Sequence, residues 1–293
     1  MYERHKYSDD LSKMDKLQNP VATKKWDGAN YFMAIDSEGK PSFVSRRESV
    51  KGGYPDRTSK VPHLADIRLP EFKNHVFNVE LIHTGNSKDN QESHPTVSGI
   101  LNSLAPRAVE QQQLTGPIRA VMFDVIHPPV NTYKGKLELL KRVENTANKP
   151  DLLFVPETKI GKDAISKFIA HTAHQNDEGV VITDLEAPEE TNLRIKVKHT
   201  RTANLRIKDF IQEVDKNGNL KESTGSYVLE DSTGKVVGNV GSGITREERL
   251  QSWKNPKAFR GKLVQVRFRT VTNNGMLREP IYNGDADGDC DKI

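Results

Sequence analysis

The pattern of the sequence predicts an α+β protein of two domains, and three observations lead to that expectation. Residues 20 to 204 interleave short strand-like segments with helical ones. Residues 205 to 293 hold five strand-like segments, separated by polar turns and one capped helix. A hydrophobic fraction of 34% beside a charged fraction of 29% suits folded domains with a broad polar surface, not a disordered chain. At 293 residues, two ordinary domains are the natural division. No apolar run reaches the roughly eighteen residues of a membrane span. Met1 to Asp10 is charged and polar, without the apolar stretch of a secretory signal. Cys290 is the single cysteine, which excludes an internal disulfide and a cysteine-based zinc site. These features point to a reducing, cytoplasmic setting away from membranes. A net charge of +4 permits nucleic-acid binding where lysines and arginines cluster, and does not argue for it alone.

Taken in order, the first twenty residues read as a helix or arm ending at Pro20. Val21 to Trp26 is a strand. Asn30 to Asp36 and Ser42 to Arg46 pair as a hairpin across the turn Ser37-Glu38-Gly39-Lys40. His75 to Ile82 alternates, with Val76, Asn78, Glu80 and Ile82 on one face. Ile118 to Ile126 is a strongly apolar strand stopped by Pro128-Pro129. Helical spacing marks Lys136 to Asn148, through Leu137, Leu140 and Val143, and Asp163 to His174, through Ile165, Phe168 and Ile169. Glu178 to Thr183 and Asn192 to Lys198 return to strand.

From Leu205 the strands are Leu205 to Val214, Ser226 to Glu230, Lys235 to Val240, Lys262 to Val271 and Met276 to Tyr282. Thr245 and Glu248 form a capping box that starts the intervening helix. This pattern fits a small closed barrel of OB type. The domain boundary is set at residues 204 and 205, with a hinge from Thr200 to Leu205.

Chemistry enters with Lys25-Trp26-Asp27-Gly28-Ala29-Asn30, between two strands. Asp-Gly after a strand is ordinarily turn chemistry. Five further pieces follow in order: Phe43-Val44-Ser45-Arg46, Val79-Glu80-Leu81, Met122-Phe123-Asp124-Val125, Glu178-Gly179-Val180-Val181, and Leu193-Arg194-Ile195-Lys196-Val197-Lys198. Each piece alone reads as an edge strand with a solvated face.

As an ordered set ahead of a barrel, they resemble the covalent nucleotidyltransferases, and among them the ATP-dependent DNA ligases. The resemblance covers most of residues 20 to 200. It implies a nucleotidyltransferase domain of ATP-grasp-like mixed antiparallel sheets over residues 1–204, followed by an OB-fold β-barrel over 205–293. It also implies a DNA ligase that uses ATP and Mg²⁺ or Mn²⁺ and seals nicked duplex DNA as a monomer. Lys25 takes the place of the lysine that attacks the α-phosphate. Thr23 becomes an adenine contact, Glu80 the ribose carboxylate, Phe123 the ring stacked on the base, and Lys196 and Lys198 the pair on the α-phosphate. Glu178, with Glu80, falls at the divalent metal. Arg46 contacts the phosphate at the nick, beside Asn30. Arg267 and Arg269, two apart on a barrel strand, would add contacts to the DNA backbone.

The residue types suit the reaction. A lysine attacks phosphorus only when neutral, and neighbouring cations favour that form. Positive groups on the non-bridging oxygens stabilise charge that spreads there in the transition state.

Two departures from the family pattern stand out. Asn30 occupies a position where DNA ligases usually carry arginine and one group of RNA ligases carries asparagine. The basic motif expected at the barrel's end is interrupted by the acidic stretch Asp285 to Asp291, which reads as a solvated tail because a calcium loop needs twelve residues and a closing glutamate. The alternatives are therefore an RNA ligase, a capping-type guanylyltransferase, or an OB-fold nucleic-acid-binding protein without catalysis. Such economy of chain resembles the small bacteriophage and bacterial ligases, which for a viral source would place the protein in the host cytoplasm. His94, His171 and His174 have no partners at ligand spacing.

Overall fold

Strands and helices alternate through Lys198 and strands dominate from Arg201 in a computed structural model that describes residues 6–49, 52–83, 93–126, 130–175, 177–189, 191–272 and 274–293. The chain divides into two units, Met1–Lys198 and His199–Ile293. Of the terminal reading, Met1 to His5 lie outside the described residues, as do Pro128 and Pro129. No described helix is long and apolar enough to cross a membrane.

The strands of the first unit are β1 (Lys6–Ser8), β2 (Pro20–Lys25), β3 (Ala29–Ile35), β4 (Pro41–Ser45), β5 (Val76–Ile82), β6 (Arg119–Ile126), β7 (Leu153–Phe154), β8 (Thr158–Ile160), β9 (Gly179–Asp184) and β10 (Leu193–Lys198). Its helices are α1 (Pro62–Ala65), α2 (Ser93–Asn102), α3 (Ala105–Thr115), α4 (Tyr133–Ala147) and α5 (Lys162–His174). Two five-stranded sheets result, in the orders β1-β10-β9-β2-β8 and β4-β3-β5-β6-β7. The expected helix or arm before Pro20 is instead the edge strand β1, paired in parallel with β10, followed by a 3₁₀ turn at Leu11–Lys16.

The sheet containing β2 has both faces covered, which explains its unbroken buried run. Ala22, Ile182 and Ile195 pack with Ile165 and Phe168 of α5. Val21, one residue away and so on the opposite face, packs with Tyr133 and Leu137 of α4. The next turn of α4 turns Leu139, Leu140 and Val143 into the core of the other sheet, against Phe77, Val79 and Met122. One helix thus serves both sheets. It is capped by the Thr132 side chain, which accepts from the Gly135 amide at 3.3 Å, and it stops at Asn148 in the left-handed region. α2 and α3 carry no assignment from sequence because their apolar residues are few.

The second unit is the sheet β13-β12-β11-β14-β17, built from β11 (Arg201–Val214), β12 (Leu220–Glu230), β13 (Val236–Val240), β14 (Leu263–Phe268) and β17 (Ile281–Asp285). A separate pair, β15 (Thr270–Val271) with β16 (Leu277–Arg278), lies beside it. Two helices, α6 (Arg246–Lys254) and α7 (Pro256–Phe259), intervene between β13 and β14.

The closed barrel expected from the pattern is corrected: the sheet is open. Among the described residues, one isolated bridge, Ser242 to Ile281, links the ends of its order. Two strands that read as continuous are also broken. Lys262 to Val271 ends its first strand at Phe268. Met276 to Tyr282 divides at Glu279-Pro280, where Glu279 takes a positive φ of 53° and proline offers no amide to a ladder. Conversely, β12 begins six residues before the expected Ser226, because it folds back on β11 across a turn closed by Gly218 and the Asp215 carboxylate.

The capping box forms as expected: the Glu248 amide donates to Thr245 Oγ1 at 3.2 Å and the Thr245 amide to Glu248 Oε2 at 2.8 Å. The aspartates of the acidic stretch, Asp285, Asp287, Asp289 and Asp291, are exposed as expected, and two of them are tied to the neighbouring strands. Asn204 donates its amide to the Asp291 carboxylate at 2.7 Å, and Asp285 pairs with Lys262 at 2.6 Å.

Candidate active site

The link between β2 and β3 brings the two sheets of the first unit together. A methyl group at Gly28 would sit 2.2 Å from the Leu81 carbonyl oxygen and 2.9 Å from the Glu80 side chain. Glycine is therefore required by contact between backbones, not only by the turn. It sets Lys25, the last residue of β2, beside Glu80 of β5. A second glycine does the same for Glu178. Gly179 has a φ of 147°, and a Cβ there would lie 1.9 Å from the Val197 carbonyl oxygen. Its register pairs it with Lys25 on one side and Lys198 on the other. Glu178 is buried, and its carboxylate accepts a hydrogen bond from the Lys25 ammonium. The neighbouring Lys24 pairs instead with Asp177, at 2.8 Å, and lies over the Trp26 ring.

A cavity of about 350 Å³ opens between these elements. Thr23, Lys25, Asn30, Arg46, Glu80, Phe123 and Lys196 all line it, so residues 173 positions apart in sequence share one space. Lys198 does not line it; it lies exposed at the end of β10. Arg267 is exposed on β14. Arg269 has left that strand, its side chain only 10% exposed and paired with Glu279 at 3.4 Å, so the two arginines do not form the expected row on one strand face.

Asn30 links the acid and the arginine. Its amide nitrogen donates to Asn78 Oδ1 at 2.8 Å and to Glu80 at 3.4 Å, while its oxygen accepts from Arg46 at 3.3 Å. Burial, reinforced by the like charges of Glu178 and Asp27, raises the Glu80 carboxyl to about 7, against the opposing pull of Lys25 and Asn30. A folded-state value above the ordinary one means that stability is lost as pH rises from about 4.5 to 7. Glu80→Gln is therefore expected to gain thermal stability relative to wild type over that interval. Unfolding curves at pH 5 and pH 7 check it, and an unchanged difference between the two proteins refutes it.

Sequence reasoning missed the far end of the cavity. Arg194, Tyr133, Arg47 and Tyr7 also line it. Arg194 donates to Asp124 at 3.1 Å and to Glu189 at 2.8 Å, and Lys136 reaches the same two acids at 2.9 and 2.8 Å. Two buried cations thus meet two carboxylates, joining β6, α4 and β10. The signal for Arg194 was present, since it precedes Lys196 by two residues on one strand and so shares its face. Tyr133, pushed up to about 12 by burial, bonds the Thr23 hydroxyl. No group of three or more His, Cys, Asp or Glu placed to hold a metal ion occurs among the described residues.

Comparison with known proteins bears on both units. The DNA ligase OB-like domain family matches residues 217–284. Structures of the same overall fold include one from a structure-function analysis of Lig E DNA ligases that bind DNA with a minimal scaffold, with a TM-score of 0.69 at 15% identity, covering 98% of this chain and 100% of that one. The chain has the DNA ligase fold. A second structure of this fold, described as Pmar-Lig_PreS3, gives a TM-score of 0.68 at 16% identity, over 95% of this chain and 66% of that one. A DNA ligase of Methanococcus vannielii is 24% identical over 263 residues, which is 80% of this chain and 44% of the relative. The chain thus spans less than half the length of that archaeal ligase. Within the ligase fold, the cavity is walled by strands from both sheets of the first unit.

Proposed function

We propose that the protein is an ATP-dependent DNA ligase that forms a covalent lysine–AMP at Lys25 and seals nicks in duplex DNA. One observation carries this reading: Lys25 stands at the wall of a cavity that also holds Phe123, Glu80, Arg46 and Lys196, with Glu178 on its ammonium. In this assignment residues 1–204 adenylate and residues 205–293 are the OB domain.

Lys25 gives up its proton and its Nζ attacks the α-phosphorus of ATP. A phosphorus–nitrogen bond forms, and the bond to pyrophosphate breaks. Phe123 packs against the base, Thr23 lies at its edge and Glu80 faces the ribose. Lys196 neutralises charge on the α-phosphate, with Lys198 assigned a part from its position on the same strand. Glu178 and Glu80 fit a divalent cation of the Mg²⁺ kind, which takes one or two protein carboxylates and fills its remaining positions with phosphate and water. Bound there, such an ion would supply Lewis-acid stabilisation of the phosphates.

The adenylate then passes to the 5′-phosphate at the nick, and the neighbouring 3′-hydroxyl displaces AMP. Arg46, bonded to Asn30, holds that 5′-phosphate in this reading. Arg267 offers one exposed charge to the DNA backbone, and the partly buried Arg269 is the weaker candidate of the two. Mass spectrometry after incubation with ATP or GTP, followed by sealing assays on all-DNA, mixed and all-RNA nicks, tests the reading. An adduct from ATP and preferential sealing of DNA are expected. Labelling by GTP alone, or faster sealing of RNA strands, overturns it. Arg46→Ala is expected to leave the adduct largely intact and to slow sealing. Arg267→Ala should weaken DNA binding and reduce its salt dependence by about one counterion.

A further inference from the structure

Lys196 is held unlike other cations of the first unit. Lys24, Lys25, Lys136 and Arg194 each meet a carboxylate. Among the described residues Lys196 makes no ion pair. Its ammonium rests on the face of Tyr7, 3.5 Å from the ring centroid. Burial and the nearby charges of Lys25, Lys198 and Arg46 push the Lys196 ammonium below the usual lysine range, against the opposing pull of the Asp9 carboxylate, with which it forms no ion pair.

Tyr7 belongs to β1, which pairs in parallel with the edge strand β10, with Tyr7 opposite Arg194. In that register Tyr7 shares the cavity face with Arg194 and Lys196. The ring is 44% exposed, so it closes no core.

We infer that Tyr7 is a positioning residue whose ring holds the Lys196 ammonium over the cavity in place of a carboxylate. The chemistry explains the substitution of ring for acid. A carboxylate would neutralise Lys196 and repel an incoming phosphate. An aromatic face attracts the cation through its quadrupole without cancelling its charge. That attraction is weaker than a buried ion pair and leaves the ammonium's N–H groups available for a charge-assisted hydrogen bond to phosphate while the ring stays in place. The inference rests on the proposed nucleotide reading of the cavity, and it adds a part of the site contributed by the strand that precedes the lysine motif.

The test uses Tyr7→Phe and Tyr7→Leu in the full chain. For adduct formation, Tyr7→Leu is expected to raise the KM for ATP about 3- to 10-fold, with the maximal rate little changed, as for loss of a contact made equally in ground and transition states. Tyr7→Phe keeps the ring and should behave as wild type. Nuclear magnetic resonance of the nucleotide-free protein gives a second readout. The methylene signals next to the Lys196 ammonium should show a ring-current upfield shift in wild type and Tyr7→Phe, lost in Tyr7→Leu. An unchanged KM in Tyr7→Leu, an equal defect in Tyr7→Phe, or no ring-current shift overturns the inference while an adduct on wild type leaves the ligase reading standing. Wild-type protein that forms no adduct with ATP overturns both.

Discussion

Lys25→Ala is expected to yield no covalent AMP adduct and no sealing of ordinary nicks. The expectation follows from position. Both lysines line the cavity; Lys25 ends β2 against Glu178 and close to Glu80, whereas Lys24 is engaged by Asp177 and the Trp26 ring. Alanine removes the proposed nucleophile without disturbing the backbone pairing of Lys25 with Gly179. The same variant should still seal nicks supplied with an adenylate already on the 5′-phosphate, since that step uses no lysine nucleophile. Intact-protein mass after incubation with ATP, with peptide mapping, decides the matter. An adduct that survives and maps to Lys24 assigns the chemistry to the other lysine.

Glu178→Ala is expected to lose activity by about 10²–10³, the usual cost of removing one well-placed electrostatic group. Glu186→Ala serves as the comparison. Glu186 lies on the loop after β9 and pairs with Lys134 at 2.9 Å with both side chains about half exposed. Exposed pairs of that kind contribute little. Glu178 is buried beside Lys25 and shares its surroundings with Glu80. Adduct formation should also fall to background in excess chelator. Equal activity of the two variants, or full adenylation without divalent ions, removes Glu178 from its proposed role.

The residues legible in the sequence are those whose neighbours announce them. Lys25, Glu80, Phe123 and Lys196 were legible through the ordered motifs around them and the resemblance those motifs carry, and they line one cavity. Strand spans were readable where buried and part-exposed positions alternate, as at β3. Residues that act through distant partners were not readable. Nothing local marks Tyr7 as the neighbour of Lys196, because the parallel pairing of β1 with β10 spans 187 residues between Tyr7 and Arg194. Lys136 read only as the start of the helix Lys136 to Asn148, yet it is buried because Asp124 and Glu189 converge on it from two other segments. The open edge of the second unit was hidden as well. Alternation reports which face of a strand is buried, and it is silent on whether the last strand meets the first.

The glycine of the lysine motif has a consequence for how far the site can drift. At Gly28 the link that follows the strand of Lys25 packs directly on the Leu81 carbonyl and on the side chains of Glu80 and Ile82, with no room for a Cβ between them. The gap between that link and β5 is therefore only as wide as a residue without a Cβ, and any larger side chain at this position would push the two walls of the cavity apart.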